Sequence, residues 1–547
     1  MTNIFNNLNN IITPKLRHFF IAIIVAVLTT GFLRLQLFSG FPESDGGLNT
    51  FINQYIYYAL NNSQSLKAMT VNLYQFMTHW VYAFDVNQYI VLRLIDGLVA
   101  VIASIIFFKV ILKESDSILF TIILMIPLLV TLNSVEVSLV FGYENSIWAA
   151  YLPLFTALLI WQKSSKEDTF SFYIIGALVS FGVLLREPFL PFFLLAAVAI
   201  FTSYGWRVLL KYLIGSAILG FSVLAVLLSF RGWDLLDLID SYMQSMNYFD
   251  ETWDTAIWTT FKLRSLLAIK TSWFLCITAL ASITYIIKLH ATDKDSVSMN
   301  RFFFWLLVAL IPILESMLKF SLAYHFFNCL PGLAGLSAMG WKYINNNVTK
   351  QLAKSSMMVI SIMSLIVIVP SVNRYFIKSD YIYSLSDAVD WSTVTDPQIP
   401  WRGISEINQY LILSAKIYEL SRDGSDDYSK RLTLAVAGGA FPIFPITKLL
   451  PPTYTLASLG YEYTRVDYNE EKFIKILERY RPTFIIVMDN SLFTKSLSSN
   501  FTSKNSDLPG IIEKTNLYNK VSIIPANTKI NHGWKSGIIY RLKREVN

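Results

Sequence analysis

Phe41-Pro42-Glu43-Ser44-Asp45-Gly46-Gly47 sets two carboxylates two residues apart, between an apolar run and an amphipathic one. A carboxylate held beside a membrane surface can act as a general base, taking the proton of an alcohol as its oxygen attacks carbon. The structural alternative is that Asp45 caps the following helix, with Gly46-Gly47 making the turn. Glu144, in Phe141-Gly142-Tyr143-Glu144-Asn145, is a second candidate acid, or else an acid favoured by the positive end of a helix dipole. Arg186-Glu187-Pro188 interrupts an otherwise continuous apolar stretch from 170 to 204. Charge at membrane depth is costly and marks function by default; the alternative is a turn in which Arg186 and Glu187 satisfy each other. Glu315 and Lys319 stand four apart, in the order that favours a helical ion pair. Tyr324-His325-Phe326-Phe327-Asn328 follows them, then Leu330-Pro331. Arg93 with Asp96 reads as a local charge pair, and Lys262 with Arg264 as attraction to headgroups. Asp489-Asn490 reads as a turn.

The elements that must hold these residues are mostly membrane helices. The chain has 547 residues, 54% of them hydrophobic and only 15% charged. Soluble domains carry about a quarter charged residues, so the deficit points to lipid. A spanning helix needs about 20 apolar residues. Eleven runs approach this: 18–37, 91–112, 117–135, 145–162, 170–186, 188–204, 209–230, 271–289, 302–321, 324–341 and 353–371. Lys15 and Arg17, Lys109 and Lys113, Lys163 and Lys166, Arg207 and Lys211, then Lys288, Lys294 and Arg301, then Lys342, Lys350 and Lys354 fall at every second boundary. By the positive-inside rule these ends are cytoplasmic. The net charge of +7 is then a matter of topology, and nucleic acid is not an expected partner. The same parity puts the N-terminus inside, and leaves residues 38–90, 231–270 and the C-terminal part outside.

Within 38–90, Leu48, Phe51, Ile52, Tyr55, Ile56, Ala59 and Leu60 recur at helical spacing, as do Leu66, Met69, Leu73, Phe76, Met77, Trp80 and Val81. Both runs are expected to lie in the membrane interface. The expected architecture is a polytopic α-helical membrane domain over residues 1–375, with about eleven transmembrane helices, and an extracytoplasmic α/β domain over 376–547. In the latter, 432–437 and 483–488 read as buried strands. Residues 470–480 read as a helix with Phe473, Ile476, Leu477 and Tyr480 on one face. Gly438-Gly439 follows the first strand, but without a GxGxxG pattern it does not signal a nucleotide site. Cys276 and Cys329 lie inside apolar runs and read as buried thiols more simply than as a bridge. No HExxH pattern and no Cys/His cluster is present; the sequence does not decide for or against a divalent metal.

A long first outer loop that opens with an acidic motif and continues as two amphipathic helices, followed by an array of spans and an outer C-terminal domain, resembles the GT-C glycosyltransferases. That superfamily includes protein O-mannosyltransferases, aminoarabinose transferases and arabinosyltransferases. The resemblance implies transfer of a sugar from a polyprenyl-phosphate-linked donor to a cell-envelope glycan or glycolipid. It implies Asp45 as the base, with Glu43 its neighbour, and Glu144 positioning the acceptor or a metal. It further implies that Arg186, Glu187, Lys319, Tyr324 and His325 bind the lipid phosphate or the sugar. The expected location is a bacterial cytoplasmic membrane.

Two other functions compete. An O-antigen-type polymerase or ligase would carry its large loop late, between spans, whereas the extended segments here come first and last. A transporter or flippase would show polar residues at midplane and two-fold repetition of spans; the span interiors here are almost uncharged. A scaffold would leave Glu43, Asp45 and Arg186 without a role.

Overall fold

The computed structural model describes residues 13–31, 33, 44–62, 73–84, 88–133, 144–165, 168–186, 189–237, 256–292, 298–318, 326 and 328–378. Of the C-terminal part it describes 413–414, 416–417, 419–421, 433–437, 443–447, 449–452, 470–490, 508–525 and 534–543. In chain order the helices are α1 (Pro14–Ala26, continued by a π-helical turn, Val27–Gly31), α2 (Ser44–Asn61), α3 (Leu73–Thr78, continued by a 3-10 turn, His79–Ala83) and α4 (Gln88–Ser115). Next come α5 (Ile118–Leu132), α6 (Glu144–Trp161), α7 (Thr169–Leu185), α8 (Leu190–Tyr204) and α9 (Trp206–Arg231). Helices α10 (Ala256–Thr292), α11 (Met299–Leu318), α12 (Leu330–Asn347) and α13 (Lys350–Lys378) complete the apolar part. The remainder is β1 (Leu434–Ala437), α14 (Ile443–Thr447), α15 (Glu470–Tyr480), β2 (Phe484–Asn490), α16 (Leu508–Lys514), β3 (Tyr518–Pro525) and β4 (Trp534–Leu542).

The chain divides into two compact units. The first holds residues 1–39, 93–229 and 233–382; the second holds 40–92, 230–232 and 383–547. Among the described residues, five helices of the chain are long and apolar enough to cross a membrane: Pro14–Gly31, Val91–Ser115, Trp206–Arg231, Ser272–Thr292 and Gln351–Ile368. Five more, α5 to α8 and α11, are apolar but shorter. Helix α1 starts earlier than its apolar run because Thr13 accepts from Leu16 N–H and Pro14 occupies the first helical position.

Helix α12 is the interior of the first unit: among its residues Leu330–Trp341, only Leu333 is not fully buried. Lipid gives apolar helices no hydrophobic reason to associate, so close packing and polar contacts must hold them. Gly332 lies against the α11 backbone at Ala309, and Gly335 under the Trp305 ring, with no room at either for a Cβ. On its other side Ser337 shares a hydrogen bond with Thr278 of α10, 2.9 Å long. Pro127 inside α5 lacks the N–H that would bond the Ile123 carbonyl. Ser364 of α13 supplies the donor instead, at 3.1 Å. At the end of α1, Thr30 joins Ser104 of α4 (2.9 Å) and accepts from Asn133 (3.3 Å).

At one end of this unit α4, α6, α11 and α12 meet through charged and polar groups. Arg301 and Gln162 both donate to Glu114, Lys342 faces Asp116 at 3.8 Å, and the Tyr343 hydroxyl accepts from Ser298 N–H. Basic residues assigned by charge alternation to one side of the membrane are thus neighbours. Both cysteines are free thiols, Cys329 buried and Cys276 half-buried.

In the second unit the sheet order is β1-β2-β4-β3, with β1 parallel to β2 and the other pairs antiparallel. Its core combines Ala435, Ile485 and Tyr540 with Leu477 of α15 and Ile512 of α16. The expected strands and helix are present. Tyr480, expected on the apolar face of α15, is exposed, because it is the helix's last residue and the burying contacts centre on Leu477. Phe473's side chain lies outside the described residues. Asp489 and Asn490 end β2 instead of forming a turn, paired with Ser536 and Trp534 across an irregularity. Gly438 and Gly439 lie outside the described residues.

Helix α2 differs from its expected setting. Phe51, Ile52, Tyr55, Ile56 and Ala59 are buried within the protein, and the Phe51 ring stacks on Phe444 of α14 at 4.4 Å. Asn53 adds a hydrogen bond to Thr78, 2.7 Å long. The apolar face therefore meets protein, not lipid, because the partner covering it comes from far along the chain. In α3 and the turn after it the two roles divide: Leu73 and Val81 are buried, Met77 and Trp80 exposed. Leu66 and Met69 lie outside the described residues.

Candidate functional site

Helix α7 runs without a charge from Thr169 to Leu185 and stops at Arg186. The Arg186 backbone turns extended (φ −153°, ψ 105°), and its N–H still bonds the Gly182 and Val183 carbonyls. Its own carbonyl accepts from Phe189 N–H at 3.1 Å. Helix α8 then opens with Pro191 in its first turn, where a missing N–H costs nothing. The side chain is thereby fixed at a helix junction and is only 8% exposed.

Tyr151 of α6 is the partner around which this junction is built. Its hydroxyl donates to Asn328 Oδ1 at 3.0 Å. Its ring stacks on Phe155 (4.9 Å between centroids) and packs against Phe189 at 5.2 Å. Arg186 is close enough for its charge to act on the Tyr151 phenol. Asn328 and Cys329 lead into α12, whose first turn carries Pro331. A cavity of about 30 Å³ remains here, lined by Tyr151, Phe189, Pro191, Pro312, Asn328 and Pro331 among others. Such a space takes a water-sized group, far less than a sugar ring.

Three stretches singled out by sequence thus come together in the first unit: the helix begun by Glu144, the Arg186 turn, and the run ending at Asn328 and Pro331. Glu144 is the first residue of α6, two turns before Tyr151 along the helix. Glu315 falls within α11; the side chains of Glu144 and Glu315 lie outside the described residues. So do Glu43, Glu187, Lys319, Tyr324 and His325 altogether. Asp45 is in the second unit, as the second residue of α2. It occupies the first turn and not the cap, and Gly46-Gly47 are helical, not a turn. Glycine weakens a helix by about 1 kcal/mol each, a cost the buried face of α2 outweighs. Arg93 and Asp96 are both buried, one turn apart in α4. Tyr151 was not foreseen: an aromatic in an apolar run carries no signal until its hydrogen-bond partner, 177 residues away, is known.

Among the described residues no group of three or more His, Cys, Asp or Glu side chains is placed to share a metal ion. No protein-family profile matches the chain, and no curated protein matches it.

Proposed function

We propose that this chain is a membrane glycosyltransferase of the GT-C type, moving a sugar from a polyprenyl-phosphate carrier to a glycan or glycolipid acceptor outside a bacterial cytoplasmic membrane. The observation that carries the proposal is Arg186, a buried guanidinium fixed between two apolar helices beside the Tyr151–Asn328 hydrogen bond. Charge at membrane depth is costly and marks a functional group by default. The phosphate released by glycosyl transfer gains negative charge as its bond to sugar breaks, and a preorganised cation stabilises that change.

In the proposed reaction the acceptor oxygen attacks the anomeric carbon. The bond from that carbon to the carrier phosphate breaks, and its electron pair leaves with the phosphate. Asp45, with Glu43 near it in sequence, takes the hydroxyl proton, and Glu144 positions the acceptor. Arg186 meets the leaving phosphate together with Lys319, Tyr324 and His325, and Glu187 belongs to the same substrate-binding group. One displacement inverts the anomeric carbon and needs no covalent intermediate. Eleven helices cross the membrane in this reading, with the N-terminus inside and the α/β part outside, where it helps bind acceptor. The gathering of Lys113, Arg301 and Lys342 near one another supports that orientation.

The test is Asp45→Asn and Arg186→Gln in a host that needs this protein for a surface glycan, with membrane insertion checked. Loss of glycan with accumulation of the lipid-linked donor is expected for both. Unchanged glycan and donor pool in both variants would reject the assignment and favour a transport role.

A further inference from the structure

Helix α4 carries Lys109 and Lys113, one turn apart, near its end. From Val91 to Ser115 it is 25 residues long, roughly 37 Å at 1.5 Å per residue, against about 30 Å of hydrocarbon. Its last turn therefore stands at headgroup depth, and Lys109 reaches the same layer by extending its stem. Neither side chain is loose. Lys113 Nζ donates to the Gln162 carbonyl at 3.0 Å, which brings the next residue, Lys163, alongside. Lys109 Nζ lies 4.4 Å from the centre of the Phe19 ring. Gln162 Nε2 donates to Glu114 Oε1 at 2.7 Å, and Arg301 Nη2 approaches that same oxygen at 3.1 Å. Lys163 acts electrostatically on both Lys109 and Lys113, and Arg301 acts on Lys113. Glu114 answers Arg301 and also attracts Lys113, and Asp116 is engaged by Lys342 at 3.8 Å. Positive charge is left in excess on the three lysines.

Topology asks only that such residues share a side of the membrane. It does not ask that lysines of α4 and of the turn after α6 be held where they repel one another. We infer that Lys109, Lys113 and Lys163 form a binding site for the phosphate of an anionic phospholipid in the leaflet at this end. Each ammonium offers three donors, and basic pockets between membrane helices take such headgroups. The wall below favours a lipid over a free anion. Leu98 and Ile102, 62% and 39% exposed, continue the Lys109 face of α4 toward the hydrocarbon, and Phe19 is 37% exposed beside it. Acyl chains can lie along that stripe while the headgroup meets the lysines.

The experiment uses the full-length protein in neutral detergent, following thermal unfolding as phosphatidylglycerol, phosphatidylcholine or inorganic phosphate is added. Phosphatidylglycerol is expected to raise Tm, and the other two to leave it unchanged. K109Q/K113Q/K163Q should weaken the response roughly a hundredfold in lipid concentration, from about a factor of five per lysine; K342Q should keep it. Should the triple variant not fold, K113Q and K163Q singly must each lower the number of phosphatidylglycerol molecules retained in native mass spectra. A full response by the lysine variants, or none by the unaltered protein, overturns the site. An equal response to inorganic phosphate overturns the lipid as its ligand.

Discussion

Ser364→Ala tests how this membrane unit compensates for proline. Pro127 leaves the Ile123 carbonyl without a donor from its own helix, and the Ser364 hydroxyl fills the gap from α13 at 3.1 Å. Interhelical hydrogen bonds within membranes contribute about 0.6 kcal/mol on average and up to about 1.7. The upper part of that range is expected here, since the carbonyl has lost its local donor and Ser364 is 4% exposed. Ser364→Ala should therefore shift the unfolding equilibrium roughly six- to eighteenfold. Pro127→Ala restores the N–H at position 127, so α5 can close its own hydrogen bond and Ser364 becomes dispensable. Reversible unfolding in mixed micelles of the parent, both single variants and the double variant gives the coupling energy directly. A coupling of about 1 kcal/mol is expected, with Ser364→Ala nearly neutral once Pro127 is gone. If Ser364→Ala costs the same in both backgrounds, its hydroxyl does not serve the carbonyl that Pro127 strands.

Three further outcomes follow from the geometry. Tyr151→Phe removes the bond to Asn328 while keeping the ring stack; a stability loss of about 1 kcal/mol is expected, and under the proposed function a larger fall in glycan transfer than in membrane insertion. Phe51→Ala empties a wholly buried site stacked on Phe444 and should cost about 3–5 kcal/mol, read as early loss of the near-ultraviolet signal of the second unit. Tyr518 is 4% exposed, and its hydroxyl has no hydrogen-bond partner among the described residues. Burial pushes its ionisation up, so the folded state holds the phenol proton more tightly than the unfolded state does. Its contribution is present below the unfolded value near 10 and is lost as pH rises above it. Tyr518→Phe should leave stability at neutral pH unchanged or raised by about 1 kcal/mol, and flatten the decline above pH 10 in alkaline titration.

The membrane helices were legible because a bilayer imposes a single length and polarity requirement. Among the described residues the apolar runs fall in helices, and five of those helices are long and apolar enough to cross a membrane. The strands at 434–437 and 484–490 were legible for a similar reason, as short apolar runs between polar ones. What stayed hidden depends on contacts between distant residues. Amphipathic spacing in α2 shows that one face must be covered; it does not tell lipid from Phe444. Ser364 and Pro127 look unrelated until two helices bring them together. Arg186 was readable as an anomaly, a charge where none belongs, but its position beside Tyr151 and Asn328 was not. For Glu43, Lys319, Tyr324 and His325 the expectation rests on sequence and resemblance, since they lie outside the described residues.

The packing of Phe51 on Phe444 sets an order on biosynthesis. Almost four hundred residues separate the two rings, and a ribosome adding about 5–20 residues per second takes on the order of half a minute to bridge them. Throughout that interval the newly made α2 has only the neighbouring α3 and its following turn as partners, and the part of its oily face that meets Phe444 is uncovered. That part stays uncovered until the segment carrying Phe444 is made. A nascent chain halted before Phe444 would display that face to the quality-control proteases of its compartment, so that completion of the C-terminal part licenses the N-terminal part to survive.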